Sequence, residues 1–260
     1  MTRIILYNIQ YCSGFKGSWW EYIRFWKMLF PPKYLDYVMA NELKGYAPDV
    51  VGFIEIDIGS IRAKKKDKTV FFREFLELGD QAGRVKYTKE GFSKIMGSLP
   101  ITRKQGNAII SKHKISEVKY HDLNRGTKRI AIESLIEKPG KFRVILVHLA
   151  LGKKARKEQL EELAHIVNEI EEPVIVMGDF NTFDGIREIR SLLRKTGLKY
   201  YPGQRIIPTQ PTYNPKNTLD LILTSKEIEV KDYKVLEEMK FSDHLPILVD
   251  FELTGKHKRK

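Results

Sequence analysis

Asp179 and Asn181 stand two residues apart just after the apolar run Val174, Ile175, Val176 and Met177, with Gly178 leading into them. An extended backbone points residues i and i+2 to the same side, so a strand ending here presents a carboxylate and an amide together. Two readings fit this pair. It is either a polar group offered to a crevice, or a strand-to-loop turn in which Asp and Asn bond their own backbone. The same placement recurs elsewhere. Asn8 closes "RIILYN", Glu55 closes "VVGFIE", His148 closes "VILVH", Asp220 opens the strand in "LDLIL", and Asp243 and His244 immediately precede "LPILV". One buried carboxylate on a sheet reads as a satisfied structural residue. Several carboxylates, two histidines and two asparagines at strand ends point to one shared crevice. A hard divalent cation such as Mg²⁺ takes carboxylate and amide oxygens, which Glu55 and one or two of the Asp residues supply. A histidine backed by a carboxylate takes or holds a proton near neutral pH, and Asp220 with His244 can form that pair. Such an inventory is suited to attacking phosphorus with water.

These residues need strands to carry them. The apolar patterning predicts strands over 3–9, 48–56, 107–111, 128–136, 142–149, 174–181, 219–224 and 245–251, and helices over 34–43, 70–78, 155–170 and 187–195. Because strands follow strands in two central regions while helices cluster beside others, the expected form is two mixed sheets face to face with helices on each outer side. A single domain over 1–254 with a basic tail at 255–260, "GKHKRK", is expected, since no linker or solenoid repeat interrupts the chain.

Cys12 is the only cysteine, which excludes an intramolecular disulfide and a cysteine-built zinc site. The N-terminus runs straight into a strand without a leader pattern, and no apolar run reaches the length of a membrane span; a cytoplasmic protein is the expectation. The net charge of +13 favours anionic partners, whether nucleic acid, phospholipid headgroups or phosphorylated metabolites, although a lysine-rich surface is also a common solubility device.

In order, Asn8 in "LYNIQY", Glu55 in "VVGFIEID", "GNAIIS" from Gly106, "VHL" from Val147, "GDFN" from Gly178, "LDLIL" from Leu219 and "SDHLPI" from Ser242 resemble the endonuclease/exonuclease/phosphatase superfamily, over residues 3–250. That resemblance implies a four-layer α/β sandwich of the DNase I type and a Mg²⁺-dependent phosphoesterase, with Mn²⁺ as the substitute. It implies that Glu55 ligates the metal, assisted by Asn8 and Asp243, and that Asp179 orients or deprotonates the attacking water. It further implies that Asn181 holds a phosphate oxygen, that His244, oriented by Asp220, acts on the water or stabilises charge, and that His148 binds phosphate or protonates the leaving oxygen. Only His244 has a carboxylate in a neighbouring motif to back it. One departure is Ile54, where the family commonly has Gln before the metal-binding Glu. AP endonucleases fit less well, given "YNIQY" and "IEID". The substrate expected is an anionic phosphoester, nucleic acid or phospholipid headgroup; the alternatives are a nuclease and a catalytically silent binding module, the latter disfavoured because no matched position is lost.

The remaining features have plainer readings. His113, His121, His165 and His257 lack motif context and read as surface or loop residues, Tyr200 and Tyr201 as packing or loop aromatics, and "RAKKKDK" over 62–68 as a solvated loop. The insertion over 17–32 places Trp19, Ile23, Trp26 and Phe30 on one helical face. It reads as a core-packing helix or as an interfacial flap for peripheral membrane contact.

Overall fold

The computed structural model describes residues 1–18, 31–32, 34–60, 63, 65–85, 104–124, 130–201 and 207–254. The aromatic face expected at 19–30, residues 62 and 64 of the basic segment, the first residues of the strand expected at 128 and the tail at 255–260 lie outside the described residues.

Two βαβ units set the frame. β1 (Thr2–Asn8) crosses through α1 (Leu35–Gly45) to β2 (Val50–Asp57), and the two strands pair in parallel. β7 (Phe142–His148) crosses through α3 (Lys153–Asn168) to β8 (Val174–Asp179), also in parallel. Every other strand pairing is antiparallel. With β3 (Asp80–Val85), β4 (Gln105–Ser111), β11 (Ile228–Val235) and β12 (Ile247–Leu253), the first unit builds a six-stranded sheet of order β11-β12-β1-β2-β4-β3. With β5 (Ile115–Asp122), β6 (Ile130–Ile136), β9 (Lys199–Tyr200) and β10 (Asp220–Thr224), the second builds the order β5-β6-β7-β8-β10-β9.

Alternation along the strands divides the apolar residues into three cores. Ile4, Leu6, Val144, Leu146, Ile175, Met177, Ile222 and Val249 pack between the sheets. Ile5, Tyr7, Val51 and Phe53 face outward and are covered by Met39 and Leu43 of α1 and Phe72 of α2 (Lys68–Phe75). Ile145, Val147, Val174 and Val176 are covered on the opposite side by Leu160, Leu163 and Val167 of α3 and Leu192 of α4 (Arg190–Thr196). The result is the four-layer sandwich expected, helices outside two sheets.

The expected helices occur with shifted ends. The one expected at 70–78 begins at Lys68, where Asp67 caps it by accepting the Thr69 N–H at 2.8 Å. Four strands were not foreseen: β3, β5, β9 and β11. All four are sheet edges, and half-exposed edges such as β5 carry lysines and glutamates rather than an apolar run. His121, expected on a loop or the surface, lies in β5 with Nε2 2.7 Å from Oε2 of the buried Glu133. Among the described residues no helix is long and apolar enough to cross a membrane.

Candidate active site

The two parallel units end at the same edge of the sandwich, where open α/β sheets leave a crevice at the carboxyl ends of their strands. In the second sheet the register places His148 of β7 beside Asp179 of β8, and Asp179 beside Asp220 of β10. These three continue the inward-facing rows of Leu146, Met177 and Ile222, so one transverse row of polar side chains closes the inter-sheet core. Each is at most 2% exposed. Asn8 is the matching last residue of β1 in the other sheet, in phase with Ile4 and Leu6. Its Nδ2 donates to Asp179 Oδ2 at 3.2 Å, a hydrogen bond that joins the sheets. His148 Nε2 reaches the same oxygen at 3.3 Å. The expectation that only His244 is backed by a carboxylate is thereby corrected: His148 faces one too, supplied by the neighbouring strand.

Glu55 reaches the crevice through a break in strand alternation. Ile54 packs in the inter-sheet core and Ile56 in the outer core, although strict alternation would put both on one face. The cause is a β-bulge: Phe53 pairs with Ala108 and Ile56 with Gly106, so Ile54 and Glu55 together oppose Asn107. Glu55 takes φ +56, a left-handed conformation uncommon for a residue with a Cβ, and its N–H donates to Asn107 Oδ1 at 3.2 Å. Without the bulge the carboxylate would point beneath the helices. Asn107, which holds the Glu55 backbone, went unnamed at the sequence level. Its signal was present, an isolated amide inside the otherwise apolar "GNAIIS".

Asp220 and His244 form the expected pair, Nδ1 to Oδ2 at 2.7 Å, both buried. Thr209 adds a hydroxyl donor to the same oxygen at 2.6 Å, a partner no motif indicated. Burial disfavours the His244 cation, but the charges of Asp220, Asp243 and Asp179 outweigh it and push the imidazole up to about 10. Burial in turn raises the Asp220 carboxyl against the opposing charge of His244. Asp243 is pushed up to about 6 by burial, with His244 opposing and the charges of Glu55 and Asp179 adding to the rise.

The turn reading of "GDFN" holds. Asn181 has φ +52 and donates its N–H to Asp179 Oδ1 at 3.0 Å, the self-bonded turn. Its side-chain Nδ2 meanwhile donates to Leu149 O at 2.9 Å, which brings the amide beside the chain leaving His148. Gly178 makes the turn feasible: it has φ +153, and a Cβ there would lie 1.9 Å from Val147 O.

All eight residues singled out therefore lie at one edge of the sandwich. Among the described residues no three His, Cys, Asp or Glu side chains form a ready cation cluster. The oxygen donors nonetheless suit Mg²⁺, which is held through one or two carboxylates and keeps several waters. The charges of Glu55 and Asp179 oppose the ionisation of Asp243, and a divalent cation would relieve that opposition.

The profile of the family described as "Endonuclease/Exonuclease/phosphatase family" matches residues 39–244. A comparison with curated protein sequences returns no match. Among solved structures, an endonuclease/exonuclease/phosphatase from Beutenbergia cavernae DSM 12333 superposes with a TM-score of 0.74 at 19% identity, covering 98% of this chain and 72% of that one. The mannosyl-6-phosphatase Bt3783 of Bacteroides thetaiotaomicron VPI-5482 gives 0.68 at 18% identity over 97% and 100% of the two chains. The human Nocturnin catalytic domain with bound sulfate anion gives 0.67 at 19% identity over 97% and 94%. At these identities the likeness is one of fold.

Proposed function

Because the chain belongs to the Endonuclease/Exonuclease/phosphatase family, we propose that it is a hydrolase that uses water to cleave an anionic phosphoester, with Mg²⁺ or Mn²⁺ held by Glu55, Asn8 and Asp243. The observation that carries this reading is the buried row His148, Asp179, Asp220, joined across the sheets by Asn8 and flanked by the Asp220–His244 pair. When bound, the cation supplies Lewis-acid polarisation of a phosphoryl oxygen.

The chain's own groups divide the remaining work. Asp179, an acceptor fixed by Asn8 and the Asn181 N–H, orients the attacking water and takes its proton. His244, oriented by Asp220, hydrogen-bonds a phosphoryl oxygen and stabilises charge there. Asn181 contributes its second amide N–H to phosphate, and His148 hydrogen-bonds or protonates the leaving oxygen. Two relatives support the reaction class, one named a phosphatase and the other carrying sulfate, a tetrahedral anion of phosphate shape. The +13 charge favours a substrate with several anionic groups, such as a nucleic acid or a phospholipid headgroup. The test is a screen of DNA, RNA, phospholipids, small diesters and monoesters with Mg²⁺, Mn²⁺ and chelator. Turnover of one class that chelator abolishes supports the reading, and no turnover of any, or full turnover in chelator, overturns it.

A further inference from the structure

α3 opens without help from its own sequence. Its first turn holds no acidic residue, Gly152 offers no side-chain cap, and Lys153, Lys154 and Arg156 put positive charge where the helix dipole disfavours it. Arg156 is nevertheless buried, at 2% exposure. Its Nη1 donates to Ala150 O at 3.0 Å and Leu151 O at 2.7 Å, in the loop that leaves His148. Its Nε and Nη2 reach Glu188 Oε2 at 2.8 and 2.6 Å. The other oxygen of Glu188 accepts the Asp184 N–H at 2.9 Å, in the loop that leaves Asn181. Gln159, one turn further along α3 and wholly buried, accepts the Ala150 N–H at 2.8 Å, while Leu149 O takes the Asn181 amide.

We propose that Arg156, through Glu188, is a positioning residue that locks the loops after β7 and β8 to each other and so sets His148 and Asn181 in one fixed geometry around the phosphoester. Helix stability does not call for a cation at this end, and a buried ion pair is often matched in stability by apolar side chains. What apolar side chains cannot do is bind two loop carbonyls and a carboxylate at once, as the planar five-donor guanidinium does. Misplacing reacting groups by about 1 Å costs roughly 10²-fold in rate. The proposal rests on the hydrolase reading for its catalytic consequence, but the coupling of the loops can be measured without turnover.

The experiment compares the parent with Arg156→Lys and with the double variant Arg156→Met/Glu188→Leu, assayed well below their Tm and shown folded by circular dichroism. The expected result is a kcat lower by about 10- to 100-fold with KM nearly unchanged, together with faster hydrogen exchange at the Ala150 and Asp184 amides. A merely structural role predicts instead that kcat follows Tm and returns to the parental value in the stable variants. Parental kcat in either folded variant, or unchanged exchange at both amides, overturns the proposal. A parent that cleaves no phosphoester overturns the hydrolase reading, and the exchange result then decides the loop coupling alone. Should the double variant not fold, Arg156→Lys, which keeps the charge, decides both readouts.

Discussion

Glu55 and the two histidines carry the sharpest expectations for single side chains. Replacing Glu55 by Gln keeps its shape and removes a charge from a site with few carboxylates to offer a cation. Activity should fall by orders of magnitude with Tm unchanged and Mg²⁺ affinity reduced; an unimpaired Glu55→Gln enzyme sinks the metal assignment. His244 sits at 2.7 Å from Asp220, whereas His148 lies at 3.3 Å from Asp179, an oxygen it shares with Asn8. A group that stabilises charge on phosphorus serves every substrate, but a group that protonates the leaving oxygen matters most when that oxygen leaves poorly. His244→Ala should therefore abolish hydrolysis of natural and nitrophenyl esters alike, and His148→Ala should spare the nitrophenyl ester. Equal losses on both esters for His148→Ala restrict that residue to binding phosphate. Retained activity in His244→Ala overturns its role.

The bulge in β2 is a device of the strand pair rather than of one residue. It turns Glu55 from the helix-covered face to the crevice, and Asn107 on β4 holds it by taking the Glu55 N–H. Removing that acceptor leaves a donor without its partner, at a cost of about 1–3 kcal/mol. Asn107→Ala should lose that stability in denaturant unfolding and also bind Mg²⁺ more weakly, since the metal-facing rotation is no longer pinned. Weaker stability with parental Mg²⁺ affinity would separate the bulge from metal binding. The edge strands are where the sequence was least legible. β3, β5, β9 and β11 have mixed polar surfaces because one flank lacks a neighbouring strand, so neither alternation nor a long apolar run marks them. The central strands were legible for the opposite reason: β1, β7, β8 and β10 are covered on both faces, which demands continuous apolar sequence.

Two charged clusters of the sandwich lie at opposite ends of the second sheet. His148 ends β7, while the buried Arg143 near its start meets the buried Glu133 and the more exposed Glu117 and Glu172. Burial alone would raise the Glu133 carboxyl, but the His121 hydrogen bond and the charges of Lys119 and Arg143 hold it below its usual 4.5. A carboxyl depressed in the folded state contributes stability above its unfolded pKa and loses it as pH falls through the folded value. The parent should therefore lose Tm steadily as pH drops below about 4.5, and Glu133→Gln should lose less over the same interval. Equal Tm losses in the two proteins would show that this network does not govern acid unfolding.

Asn8, Glu55, His148, Asp179, Asn181, Asp220, Asp243 and His244 could all be picked out of the chain by one signal, polar groups interrupting apolar runs at strand ends, because burial on a sheet edge tolerates such groups only with a partner or a purpose. The layer architecture followed from the same runs and their order. Which groups touch was decided only by the fold. Register places His148 and Asp220 on either side of Asp179, a bulge with a positive φ turns Glu55 inward, and Arg156 ties two loops 28 or more residues from one another in the chain. Those facts depend on pairing between segments far apart in sequence, and local periodicity holds no record of such pairing.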